Sequence, residues 1–162
     1  YKALVDTALI NGATTFMIGL SLSFANFLTM EQVPVKVGEF LFGISNSYIV
    51  VLMIINVFLL IVGCFIDNIS SCIILAPILL PVVTKLGMDP VHFGIVMTMN
   101  LAIGFVTPPY GANLFVASAV GQVPIERISK FVLPLIASMI LVLLLVTYIP
   151  SIAMVLPNLF MK

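Results

Sequence analysis

"GFVTPPYGANLF", residues 104–115, lies inside an uncharged run that extends from Pro90 to Ile125. The run is apolar enough to cross a bilayer, yet its middle carries two adjacent prolines. Each proline lacks a backbone N–H and its ring clashes with the preceding turn, so the carbonyls near Gly104 and Phe105 lose their helical donors. One straight helix from Pro90 to Val120 would measure about 46 Å, well beyond a hydrocarbon core of about 30 Å. The reading is a discontinuous helix: Pro90–Val106, an unwound Thr107-Pro108-Pro109-Tyr110-Gly111, and a second piece over Ala112–Val120.

The rest of the chain supports a membrane setting. Of 162 residues, 62% are hydrophobic and 7% charged, against roughly 25% charged in soluble domains. Further uncharged runs cover Thr7–Met30, Phe40–Ile66, Asn68–Thr84 and Phe131–Met161, and a helical span needs about 20 apolar residues. The fold class is an all-α polytopic membrane protein. A net charge of zero leaves no basic patch for nucleic acid. Cys64 and Cys72 read as small core residues, and His92 has no neighbours at metal-ligand spacing. The first segment is too long for a cleavable leader and no small-residue cleavage site follows it. A start at Tyr1 suggests a fragment or a processed product.

Working outward, residues 1–47 form a first transmembrane helix, about Leu4–Leu28, and a connecting loop around "MEQVPVKVGEF". Gly12, Gly19 and the polar Asn11, Thr14, Thr15, Ser21 and Ser23 suit a face packed on other helices. Residues 48–87 hold two apolar arms, Tyr48–Ile66 and Ile69–Leu86, joined by Asp67-Asn68 without a hydrophilic loop. Asp67 is the sole charge between Glu39 and Lys85, and a mid-membrane aspartate costs about 2.5–3.5 kcal/mol unless a partner or polar cavity receives it. The pattern suits a re-entrant helical hairpin whose tip is covered by protein or water. Two complete spans with a very short turn are the alternative. Asn68, Ser70 and Ser71 are candidate N-caps of the second arm, which contains Pro77 and Pro81 and ends at Gly87. Residues 88–121 hold the discontinuous helix, with Asp89 as N-cap and Pro90 at its first position. Residues 122–162 comprise the water-facing loop "GQVPIERISK", a last span over Phe131–Ile149, and a tail too rich in proline to assign. Lys36, Lys85 and Lys162 fall on one face and Lys2, Arg127 and Lys130 on the other, so charge does not orient the chain.

Two interruptions in consecutive elements suggest a purpose. The end of a half-helix presents free carbonyls and the start of the next presents free N–H groups. If the tip at Gly63–Ser71 met the break at Gly104–Gly111, carbonyls would face an alkali cation and N–H groups an anion, as in transporter sites built from broken helices. Candidate cation-binding residues are Gly63, Asp67, Asn68, Gly104, Thr107 and Tyr110. Candidate substrate-binding residues are Ser70, Pro108, Pro109, Gly111 and Asn113. The plainer readings are a packing kink at Thr-Pro-Pro, an N-cap at Asp67, and interhelical hydrogen bonds for Asn100 and Asn113.

"GCFIDNISSCIILAPILLPVVTKLGMDPVHFGIVMTMNLAIGFVTPPYGANLFVASAV" resembles the large membrane subunit of the tripartite ATP-independent periplasmic (TRAP) transporters. The resemblance covers essentially the whole chain and is strongest over Gly63–Gly121. It implies one half of an inverted-repeat, elevator-type permease in a bacterial inner membrane, with a periplasmic C-terminus. It implies sodium-coupled import of carboxylates such as C4-dicarboxylates or sialic acids, with Na+ as coupling ion and no other cofactor. A small TRAP membrane subunit and a periplasmic substrate-binding protein are the implied partners. The hairpin would be the second of two, moving with the broken helix, and one sodium would lie between Gly63–Asn68 and Gly104, Thr107 and Tyr110. One hairpin and one broken helix make a single repeat, so the remainder of a longer subunit is an expected partner too.

Other classes fare worse. A binding-protein-independent carrier of related hairpin architecture is open. An aspartyl intramembrane protease needs a second membrane aspartate beside Asp67, a serine type needs a membrane Ser/His pair, and no H-E-x-x-H motif occurs. A structural subunit with mere kinks is the remaining rival.

Overall fold

Helix boundaries follow the local punctuation closely. In order, they are α1 (Lys2–Met30), α2 (Val33–Ile44), α3 (Tyr48–Phe65), α4 (Asn68–Lys85), α5 (Pro90–Gly104), α6 (Ala112–Gly121), α7 (Ile125–Tyr148) and α8 (Pro150–Phe160). The computed structural model describes residues 2–45, 47–66, 68–108 and 111–160, with fewer side chains described along α1. Asp89 caps α5, its Oδ1 accepting from the amides of Val91 at 2.8 Å and His92 at 3.2 Å, while Pro90 fills a first-turn position that needs no donor. Gly87 closes α4 with φ of 85°. Its amide bonds to Thr84 and that of Met88 to Val83, the paired bonds of a Schellman ending that a Cβ would strain.

Three assignments differ from the sequence reading. Residues 33–44 are helix, where a loop was expected: Val37, Gly38, Leu41 and Phe42 recur at helical spacing against the core, and Lys36 and Glu39 sit on the exposed side. The charges marked an outer face, and Gln32 in the left-handed region separates this helix from α1. Similarly, α7 begins at Ile125, so Arg127 and Lys130 lie exposed on its first turns rather than in a loop. The proline-rich tail forms α8, with Pro150 at its start and Pro157 inside it.

Among the described residues, three helices, α3, α4 and α7, are long and apolar enough to cross a membrane. This is a polytopic helical membrane protein. With 18 residues each, α3 and α4 extend about 27 Å. The core is built around α5, which packs on α3, α4 and α7, while α4 is flanked on its other side by α1 and α2. Leu59, Val51, Val83, Leu101 and Leu143 are almost wholly enclosed. In lipid, apolar burial between helices gains little from water exclusion, so close packing and interhelical hydrogen bonds hold such a cluster together.

Two polar contacts set helix direction. The Tyr148 hydroxyl donates to the Ile49 carbonyl at 3.0 Å, and His92 Nε2 lies 2.8 Å from the Val146 carbonyl. The starts of α3 and α5 therefore both lie beside the end of α7. At their other ends, Gly63 of α3 meets Gly104 of α5. Helices α3 and α5 run parallel, and α7 runs antiparallel to both.

Candidate functional site

Gly63 and Gly104 bring the two interruptions together. A Cβ added to Gly104 would stand 2.6 Å from the Gly63 carbonyl carbon and 2.7 Å from the Leu60 oxygen. One added to Gly63 would stand 2.8 Å from the Leu101 oxygen. Neither glycine has room for a side chain, and the obstacles are backbone, which cannot swing away. Small residues allow this approach, and the reciprocal glycine-to-carbonyl geometry suits weak Cα–H···O contacts. Both residues sit in the last turn of their helices, where carbonyls run out of intrahelical donors. Two helix C-termini, each carrying partial negative charge, thus converge at one level.

The break itself is a compact series of turns. Pro108 cannot donate to Gly104, and the Thr107 amide takes that carbonyl instead at 2.9 Å. Likewise, the Phe105 carbonyl accepts from the Asn113 amide at 3.3 Å, and the Thr107 carbonyl from the Gly111 amide at 3.0 Å. The expectation that the carbonyls near Gly104 and Phe105 are left open needs correction: both lose their α-helical donors, and both find replacements. The Thr107 hydroxyl donates to the Ile103 carbonyl at 2.6 Å, which commits its hydrogen and leaves its lone pairs to face outward from that bond. Gly111 is the N-cap residue of α6, and a Cβ there would lie 2.9 Å from Phe105 oxygen and Thr107 nitrogen. The turn folds onto itself only because position 111 is glycine.

Of the remaining candidates, Asn68 opens α4 and its Oδ1 accepts from the Cys72 thiol at 3.6 Å, so the side chain lies along its own helix. Ser70 is half-buried, as is Pro108, and the Asn113 side chain is exposed. Asp67, Pro109 and Tyr110 lie outside the described residues, as do the side chains of Asn11, Thr14 and Ser21. Asn100 makes an interhelical bond, its Nδ2 donating to Asn56 Oδ1 at 2.7 Å, and Asn56 Nδ2 continues to Thr147 Oγ1 at 3.2 Å. The sequence reading passed over Asn56, a single amide in an apolar run. It also weighed Ser71 only as a cap, whereas its Oγ is buried without a hydrogen-bond partner. A polar residue two turns before Gly63 was the available signal for Asn56; nothing local set Ser71 apart from Ser70.

Among the described residues, no three His, Cys, Asp or Glu side chains gather as a metal cluster would. A cleft of about 300 Å³ between α5 and α7, lined by Met99, Ala102, Ile103, Ser138, Met139 and Val142, is apolar.

The family model for "Tripartite ATP-independent periplasmic transporter, DctM component" matches residues 1–152. The chain belongs to this family. It is 49% identical, over 95% of its own length and 24% of the relative's, to the isethionate TRAP transporter permease protein DctMQ of Oleidesulfovibrio alaskensis. It is 38% identical to the C4-dicarboxylate TRAP transporter large permease protein DctM of Pseudomonas aeruginosa, over 97% of the chain and 37% of the relative. It is 39% identical to the sialic acid TRAP transporter large permease protein SiaM of Vibrio cholerae, over 85% of the chain and 32% of the relative. The chain spans about a quarter to somewhat over a third of the length of these relatives. A TRAP permease is a transporter component and not an enzyme, and its place is the inner membrane.

Proposed function

We propose that this chain is the part of a TRAP large permease that couples sodium to the inward transport of a small organic anion. The observation that carries the reading is the meeting of Gly63 and Gly104. Parallel helices α3 and α5 both end there, and their like partial charges repel unless a cation lies between them. The second lone pairs of the carbonyls in that last turn, with the Thr107 oxygen, would supply hard ligands. Asp67 and Tyr110, from the two turns, are the further candidates. Helices α4 and α6 start just beyond and offer N–H groups to an anion, with Ser70, Gly111 and Asn113 as the residues that would face it.

The hairpin is re-entrant in this proposal. The last turn of α3 meets Gly104 through Gly63, and α6 continues for another 10 residues, about 15 Å, before α7 returns. Asp67 would then be deep in the membrane, where a sodium ion offsets its charge. Hairpin and broken helix would move together as half of an elevator-type transport unit, facing a second repeat in the rest of the subunit. A small membrane subunit and a periplasmic binding protein complete the machine.

Carboxylates are the expected substrate class, and the relatives named for C4-dicarboxylate and sialic acid agree with it. The relative named for isethionate extends the class to sulfonates. Carboxylate and sulfonate oxygens accept the same N–H donors, so one pair of helix N-termini suits both.

Uptake by the complete permease with its two partners in proteoliposomes tests the proposal. Labelled succinate, sialic acid and isethionate are offered with and without an inward sodium gradient. Accumulation of one of them only with the gradient is the expected result. Uptake indifferent to sodium would remove the cation site and leave a carrier.

A further inference from the structure

Three buried polar side chains lie outside the proposed site and form one chain across three helices. Asn100 of α5 donates to Asn56 of α3 at 2.7 Å and to its own helix at the Val96 carbonyl at 2.9 Å. Asn56 donates to Thr147 of α7 at 3.2 Å, and Thr147 donates to the Leu143 carbonyl at 2.8 Å. Exposure is 2% for Asn56 and zero for Asn100 and Thr147. Donor directions are set by the far end: Leu143 and Val96 offer carbonyls that only accept, so each amide nitrogen must point as stated.

We infer that Asn56 and Asn100 are positioning residues that set the register of α3 on α5, and with it the meeting of the helix ends at Gly63 and Gly104. Asn100 stands one turn before Gly104 and Asn56 two turns before Gly63, so each asparagine shares a helix face with its glycine. The other buried α3 residues on this side, Leu52, Ile55 and Leu59, are of similar size and would accept a slip of one turn, about 5.4 Å. Such a slip would set a leucine against Gly104, where no Cβ fits. The amide pair adds a polar penalty to that steric one, because a slipped α3 would leave the Asn100 amide facing an apolar side chain; fixing register is the role best attested for isolated buried polar pairs. Stability is not what the cluster maximises, because Asn100 Oδ1 is buried without a hydrogen-bond partner.

The inference rests on the proposed cation site for its functional consequence, and the test separates the two. In the complete permease with its partners in proteoliposomes, uptake is titrated with sodium for the wild type and for Asn56→Leu/Asn100→Leu. Alkylation of Cys64, half-buried and adjacent to Gly63, is followed by mass spectrometry, together with the unfolding temperature. The double variant leaves no polar group stranded, so it is expected to unfold within a few degrees of wild type. Its Cys64 alkylation rate is expected to change about threefold or more, and its half-saturating sodium concentration to rise about tenfold, the scale seen when outer partners of an ion site are removed. Asn100→Ser, too short to reach Asn56, is the milder variant should the double one fail to assemble, and moves both readouts the same way. Unchanged Cys64 reactivity with a normal sodium curve overturns the inference, whatever happens to stability. Should wild-type uptake ignore sodium, the cation reading falls, and Cys64 reactivity alone then decides the register.

Discussion

His92 supplies the hydrogen bond that Pro150 takes away. In α7 the Val146 carbonyl would ordinarily accept from the amide of residue 150, and proline has none. His92 Nε2 lies 2.8 Å from that carbonyl. A carbonyl only accepts, so Nε2 carries the proton. The side chain is 1% exposed, and the bond ties the start of α5 to the end of α7.

Replacing His92 by Leu should leave that carbonyl buried without a donor and destabilise the protein by about 1–3 kcal/mol. His92→Gln, which can still donate, should recover part of the loss. Thermal unfolding of the purified permease in detergent would show it; equal stability of the Leu and Gln variants would mean that the ring's packing matters rather than its N–H.

Gly104→Ala should be among the most damaging single changes. Its Cβ would fall 2.6 Å from backbone on α3, and overpacking costs typically about 1–3 kcal/mol, more when backbone must shift. Gly94→Ala, on the same helix with open space around it, should instead be neutral or stabilising by up to about 1 kcal/mol. Expression, unfolding temperature and uptake of the two variants, measured side by side, would separate helix propensity from helix approach.

Thr107→Ala removes a hydroxyl that is part of the proposed cation shell and of a bond to Ile103. The half-saturating sodium concentration should rise about tenfold, while expression and assembly stay near normal. Thr107→Ser should restore the curve. A normal sodium curve in the alanine variant would take Thr107 out of the site.

Asp89→Ala deletes two N-cap hydrogen bonds at the start of α5 and should cost about 1 kcal/mol. Asp89→Asn should cost much less, because the amide oxygen caps as well. Uptake kinetics should be unchanged in both, since the cap lies at the opposite end of α5 from Gly104; a changed sodium curve would show that strain at the cap reaches the break.

The sequence by itself determined where helices start and stop at the core elements. Pro108 and Pro109 interrupt a helix through chemistry that acts within one turn, so the break was legible to within two residues. Asp89 and Gly87 likewise act locally. It missed α2 and the first turns of α7 because charges on an exposed face were read as a loop. What only the tertiary structure decided is which ends meet. Gly63 and Gly104, Asn56 and Asn100, and His92 and Val146 are far apart along the chain, and no local propensity encodes such pairs. They are settled by close packing, which admits two backbones at one point only where both residues are glycine, and by buried donors that must find acceptors.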